Sequence, residues 1–196
     1  MTGLWTTPPE STYRFDGRHY RIEDSPALPK PVQSLRPPII VGGAGPTRTP
    51  ALAARFADEF NSVFLSPAVA EAQFARVDRA CEGAGRDPGR LRRSSAVTVI
   101  CCGTDGAEIG RRARAIGRSV DDLRRNGACG TPDQVAERLG EWAGAGAEVL
   151  YLQVLDPTDI DHVRLIARQV APRIEPRRAA LRWGLRSQAI PCQRGP

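Results

Sequence analysis

The run Val41-Gly42-Gly43-Ala44-Gly45-Pro46-Thr47-Arg48-Thr49-Pro50 leaves a short apolar stretch and enters a helical pattern. Glycines at such a turn let the backbone approach a ligand closely, and a helix start offers unpaired N–H groups and positive dipole density to an anion. The chemistry this serves is the holding of a phosphate-bearing cofactor. A tight strand-to-helix turn with no ligand would use the same glycines. Two named phosphate motifs are absent: no Gly-Lys-Ser/Thr follows, and Gly43-x-Gly45 has Arg48 where a dinucleotide fingerprint needs its third glycine. Ser66 before Pro67 places a second hydroxyl at a strand exit. It shares an end with the glycine turn if the strands are parallel, the end where ligands of α/β sheets and barrels gather, and it also reads as a plain helix N-cap.

Other reactive side chains do not assemble into a site on sequence grounds. Asp58 with Glu59, and Asp121 with Asp122, are neighbours in the chain, and helix neighbours point apart. His19 sits between Arg18 and Tyr20 in a polar hairpin pattern, and His162 lies within the last helical period, so no Ser-His-Asp arrangement emerges. Cys81, Cys101, Cys102, Cys129 and Cys192 form no CxxC pair, and neither histidine stands at ligand spacing from a cysteine. They read as free thiols of a reducing compartment, several of them buried, with no metal site. The chemistry is expected to be borne by a cofactor rather than by a catalytic residue of the chain.

The elements that must position these groups follow from periodicity. Apolar runs near 38–43, 60–65, 96–102 and 149–155 read as buried parallel strands. Thr49-Pro50, Ser66-Pro67 and Thr131-Pro132 each put a hydroxyl at an N-cap and a proline at the first helical position. Gln134 adds a capping box to the third. Ala70, Phe74, Val77 and Cys81 form one helical stripe, Val135, Leu139 and Trp142 a second, and Val163, Ile166 and Val170 a third. Thr104 to Asn126 reads as helical from about Asp105. The alternation implies right-handed crossovers and an α/β fold. Four such units make either a small doubly wound sheet or half of an eight-stranded barrel, and composition does not choose between them. Residues 1–36 read as a Pro-rich excursion with a hairpin over Tyr13 to Ile22, and 175–196 as a basic, disordered tail.

Composition narrows the partners. The 196 residues are 41% hydrophobic and 26% charged, within the range of ordinary globular proteins. No stretch approaches the roughly 20 apolar residues of a spanning helix, and Met1 to Phe15 lacks a signal-peptide core, so a cytoplasmic location is expected. The net charge of +6 is concentrated in the tail, where five arginines face Glu175 alone. With a nearly neutral body, few aromatics and a single lysine, Lys30, the balance reads as codon bias and argues against nucleic acid.

Several strings together resemble the luciferase-like flavin- and deazaflavin-dependent oxidoreductases. They are Phe15-x-Gly17-x-x-Tyr20, Leu28-Pro29-Lys30-Pro31-Val32-Gln33, Pro37-Pro38-Ile39-x-Val41-Gly42-Gly43-x-Gly45, Ala53-x-x-x-Ala57-Asp58-x-x-Asn61 and Gly130-Thr131-Pro132-x-x-Val135-Ala136-x-x-Leu139. The resemblance covers about residues 4 to 174. It implies a TIM barrel that binds a flavin-type cofactor at the carboxyl ends of its strands, with Gly42, Gly43, Gly45, Thr47, Arg48 and Ser66 as cofactor contacts. The Arg-rich, GC-biased composition points to an actinobacterial-type lineage, in which the resemblance implies coenzyme F420, with FMN as the alternative, and the substrate is expected to be a small organic molecule.

A full barrel needs about 250 residues, so the resemblance also implies only the C-terminal half, about the last four βα units over 37–174. Half a barrel leaves two parallel edges and an inner face uncovered. The chain is therefore expected to act as a homodimer or with a missing N-terminal half, as a truncated or split enzyme. The alternative is a non-catalytic remnant or assembly module, and a third reading is a complete doubly wound nucleotide-binding domain.

Overall fold

The computed structural model describes residues 2–33 and 36–174. The reading of 175–196 as a disordered tail lies outside the described residues. A short helix α1 (Thr2–Thr6) precedes the antiparallel hairpin of β1 (Tyr13–Asp16) and β2 (Arg21–Ser25), with Phe15 opposite Ile22. The regular alternation then begins with β3 (Ile40–Gly42), α2 (Arg48–Phe56), β4 (Glu59–Val63) and α3 (Pro67–Gly83). It continues with β5 (Arg92–Cys102), α4 (Gly106–Ala115), α5 (Val120–Asn126), β6 (Ala128–Gly130), α6 (Pro132–Gly144) and β7 (Val149–Gln153). The chain closes with α7 (Ile160–Leu165), a π-helical turn (Ile166–Val170) and α8 (Ala171–Ile174).

All pairings among β3 to β7 are parallel. The long β5 is the hub: it pairs β4 and β7 along its first half and β6 through its last three residues. Among the described residues β3, β6 and β7 each pair with one strand only, β6 and β7 both with β5, so the sheet is open. This is the architecture of a partial TIM barrel, α/β with parallel strands, as the family resemblance implies.

Helices α2, α3 and α6 pack against one face of the sheet. Phe60 is fully buried and meets Phe74 of α3 edge to face, with ring centroids 6.1 Å apart. Ala53, Ala70, Val77, Cys81, Ile100, Cys102, Val135, Leu139 and Trp142 complete this core. A second, smaller core gathers Val99, Cys101, Ile109, Ala113, Leu123 and Cys129 under α4 and α5.

Four local readings shift. The helix after the glycine turn begins at Arg48 with Thr47 as N-cap, two residues before the expected Thr49, because Pro50 is tolerated anywhere in a first turn whose N–H groups have no helical partner. The helical stretch after Asp105 is two helices. Gly117, with φ +69, ends α4 in a left-handed turn in which the Arg118 N–H reaches the Ala113 carbonyl and the Gly117 N–H reaches that of Arg114. The terminal stripe runs through His162, Ile166 and Val170 at spacings of four, while Val163 is exposed. Finally β6 is a fifth strand in the parallel sheet that the sequence reading lacks.

Candidate functional site

The carboxyl ends of β3 and β4 lie side by side. Gly42 is in register with Asn61, and the Gly43 N–H donates to the Asn61 carbonyl over 3.3 Å. Beyond that pair the chain must turn sharply into α2. Gly43 has φ +144, a conformation L side chains rarely adopt, and a Cβ on Gly45 would lie 2.8 Å from Thr49 Oγ1. These two glycines are therefore required by the turn itself. The turn is held from beneath: buried Gln73 of α3 donates from Nε2 to the Gly45 carbonyl over 2.9 Å, and its Oε1 accepts from Arg76.

The neighbouring exit, from β4 into α3, is equally constrained. The Phe64 N–H pairs with the Ala96 carbonyl, and the Leu65 carbonyl accepts from Trp142 Nε1 over 2.9 Å. Between those anchors Phe64 adopts φ +52 and stays exposed. A non-glycine residue held there stores backbone strain, a feature that clusters at ligand sites. Ser66 follows immediately and starts α3.

The structure thus brings Gly42, Gly43, Gly45, Thr47 and Ser66 to one end of the sheet, and leaves Arg48 exposed on the first turn of α2. The two helices that start there differ from α4, α5, α6 and α7. The Thr47 and Ser66 hydroxyls make no capping hydrogen bond. Asp105, Ser119, Thr131 and Asp159 all cap α4, α5, α6 and α7 through their side chains. Two adjacent helix starts therefore offer backbone N–H groups and hydroxyls that no local carboxylate or hydroxyl engages, a chemistry suited to a bound anion.

Two further polar clusters surround the sheet. On the face away from α2, α3 and α6, Glu59 Oε1 accepts from Ser94 Oγ (2.6 Å) and Tyr151 Oη (2.8 Å), and Asn61 Nδ2 donates to Ser94 Oγ (2.8 Å). The carboxylate acceptor raises the Tyr151 phenol above its usual range. Asp58, the sequence neighbour of Glu59, instead pairs with Arg36 and accepts from the Ile39 N–H, so the two carboxylates have separate structural duties.

At the carboxyl end of β5, buried Arg112 donates to Asp159 (2.9 Å) and the Cys102 carbonyl (2.7 Å), and pairs with Glu108 (2.7 Å). Arg112 holds the Asp159 carboxyl far below the usual range, and Asp159 in turn caps α7. His162 Nε2 accepts from the Cys102 N–H over 2.9 Å, so that nitrogen carries no proton. The sequence treats His162 as one position of a helix and gives no sign of this contact, because its partners are about 50 and 60 residues away.

Burial, and next the Arg112 charge, push the His162 imidazole below its ordinary value near 6.5, with Asp159, Glu108 and Asp156 opposing the shift. The unfolded chain therefore binds this proton at a higher pH than the folded one. Stability from this group is full above about 6.5 and lost as pH falls below it. Urea melts at pH 7.5 and 5.5 are expected to show a lower midpoint at the acid pH, with the difference reduced in His162→Gln. His19, the other histidine, is exposed in the hairpin.

A family model described as luciferase-like monooxygenase matches residues 1–120. No curated protein matches the chain. Among solved structures, an F420-dependent secondary alcohol dehydrogenase in complex with an F420-acetone adduct aligns at 16% identity and TM-score 0.71, over 88% of this chain and 58% of that one. The coenzyme F420-dependent tetrahydromethanopterin reductase from Methanopyrus kandleri aligns at 14% identity and TM-score 0.68, over 89% and 60%. The oxygenating constituent of 3,6-diketocamphane monooxygenase from Pseudomonas putida, in complex with FMN, aligns at 15% identity and TM-score 0.61, over 88% and 60%. The chain spans less than two thirds of the length of each. Among the described residues no helix is long and apolar enough to cross a membrane.

Proposed function

The chain belongs to the luciferase-like monooxygenase family, and from that premise we propose that it forms the phosphate-side cradle of a coenzyme F420 site, with FMN as the alternative cofactor. The enzyme it serves transfers a hydride to or from a small organic substrate. The observation that carries this reading is the pair of helix starts at Thr47 and Ser66, both without side-chain caps and both at the carboxyl end of the sheet. A Cβ at Gly43 or Gly45 would meet the Thr49 side chain, so glycine at both keeps the turn tight against the first turn of α2, whose N–H groups suit a phosphate.

In this reading the Thr47 and Ser66 hydroxyls and the N–H groups of the two first turns hold the phosphate, and Arg48 supplies charge at the rim. Gln73 and Trp142 act one step back, fixing the two turns through the Gly45 and Leu65 carbonyls. The bound cofactor ring supplies the redox chemistry; this chain binds and orients it. The open edges of the sheet are completed in the working protein, by a second copy of this chain or by further barrel strands, since exposed parallel edges otherwise invite aggregation.

Fluorescence titration with coenzyme F420 and with FMN tests the reading. We expect saturable binding of one cofactor, weakening by about tenfold in Ser66→Ala as a hydrogen bond to a charged group is lost, and loss of binding in Gly43→Asp. Because Gly43→Asp also strains the turn, the Ser66→Ala result is the cleaner one. Folded protein that binds neither cofactor, or unchanged affinity in both variants, would overturn the proposal and favour a remnant that keeps the fold without the chemistry.

A further inference from the structure

The strands β5 and β6 place Cys101 directly opposite Cys129. Registered residues on adjacent strands lie roughly 5 Å apart, inside the about 4.4–6.8 Å that a disulfide spans between Cα atoms. Both side chains enter the same small core under α4 and α5, whereas the next residue, Cys102, enters the opposite core with Cys81. The sheet thus selects one pair of thiols and separates it from the two others among the described residues. The thiols are free, and Cys101 also lies 3.7 Å from the Ile109 carbonyl. Among the described residues no three His, Cys, Asp or Glu side chains gather in a group that could hold a metal ion.

We propose that Cys101 and Cys129 form a reversible disulfide, a modification site that ties β5 to β6 when the protein meets a small-molecule disulfide. Cys129 is the attacking group. It is the more exposed of the two, at 9% against 1%, and the contact between the two thiols lowers the Cys129 thiol and, with burial, raises that of Cys101. The Cys129 thiolate attacks one sulfur of the reagent, whose S–S bond breaks and releases one small thiolate. Cys101 then gives its proton to solvent and attacks the Cys129 sulfur, expelling the second small thiolate. The protein loses two protons and two electrons, and the reagent gains them as two thiols.

The cross-link closes the segment carrying α4 and α5 into a covalent loop and so restricts the unfolded chain. The test treats the native full chain with oxidised glutathione, removes the reagent, denatures and alkylates. Of the five cysteines, three are expected to remain alkylatable, with peptide mapping joining Cys101 to Cys129. The melting midpoint is expected to rise by about 4 °C or more, to return on reduction with dithiothreitol, and not to rise in Cys129→Ser. Five alkylatable cysteines, a link through Cys81, Cys102 or Cys192, or a lasting glutathione adduct on Cys129 with no link to Cys101 would each overturn the proposal. The wild-type map is decisive even if Cys129→Ser folds poorly.

Discussion

Arg112→Ala is expected to lower the unfolding free energy by about 3 kcal/mol, the lower end of the range for breaking a buried ion pair. Arg112 side-chain exposure is 5%, that of Asp159 is 10%, and the guanidinium binds two carboxylates and the Cys102 carbonyl at once. Removing it leaves Asp159 with Arg111 at 3.3 Å as its remaining cation, which is why the loss stays at the lower end. The Cys102 carbonyl loses a charged donor as well. Arg112→Lys is expected to recover only part of the stability, because one ammonium cannot span the positions that the planar fork reaches. Urea melts at neutral pH measure both. A loss below about 1 kcal/mol for the alanine variant would mean that the cluster behaves as a solvated surface pair.

Trp142→Ala is the second large effect, about 3–5 kcal/mol for deleting a buried indole. The ring is 3% exposed in the main core, and Arg138 lies over it at 5.0 Å. Its importance to the site comes from Nε1, which donates to the Leu65 carbonyl one residue before Ser66. Trp142→Phe keeps most of the packing and removes that bond, at a cost of about 1 kcal/mol. If Trp142 positions the β4 exit, the phenylalanine variant loses cofactor affinity by more than its small stability loss explains. Equal affinity in Trp142→Phe and wild type would make Trp142 a core residue alone.

Much of the fold is legible because its signals are local. Thr131, Pro132 and Gln134 lie within four residues and produce the capping box they advertise. The stripe Ala70, Phe74, Val77 and Cys81 is buried as its spacing requires. The glycine turn and Ser66 converge because parallel strands bring successive exits to one end. What escapes is either too short or too distant. Ala128-Cys129-Gly130 is a strand because β5 is long enough to pair with it, and three residues carry no period of their own. Gly117 was a visible helix stop inside an otherwise helical stretch. The links from Gln73 to Gly45, from Arg112 to Asp159 and from His162 to Cys102 join residues 28, 47 and 60 positions apart, which no local pattern encodes. The missing caps at Thr47 and Ser66 are likewise invisible in sequence, where both hydroxyls look like ordinary N-caps.

The central claim is that two uncapped helix starts hold a cofactor phosphate, and a crystal structure of the chain with the cofactor that saturates it tests this most directly. The account predicts the phosphate against the first turns of α2 and α3, within hydrogen-bonding distance of Ser66 Oγ and of backbone N–H groups following Gly43. A saturated complex with its phosphate elsewhere, for example beside Arg111 and Arg164, or with Thr47 and Ser66 free of any contact to it, would contradict the account.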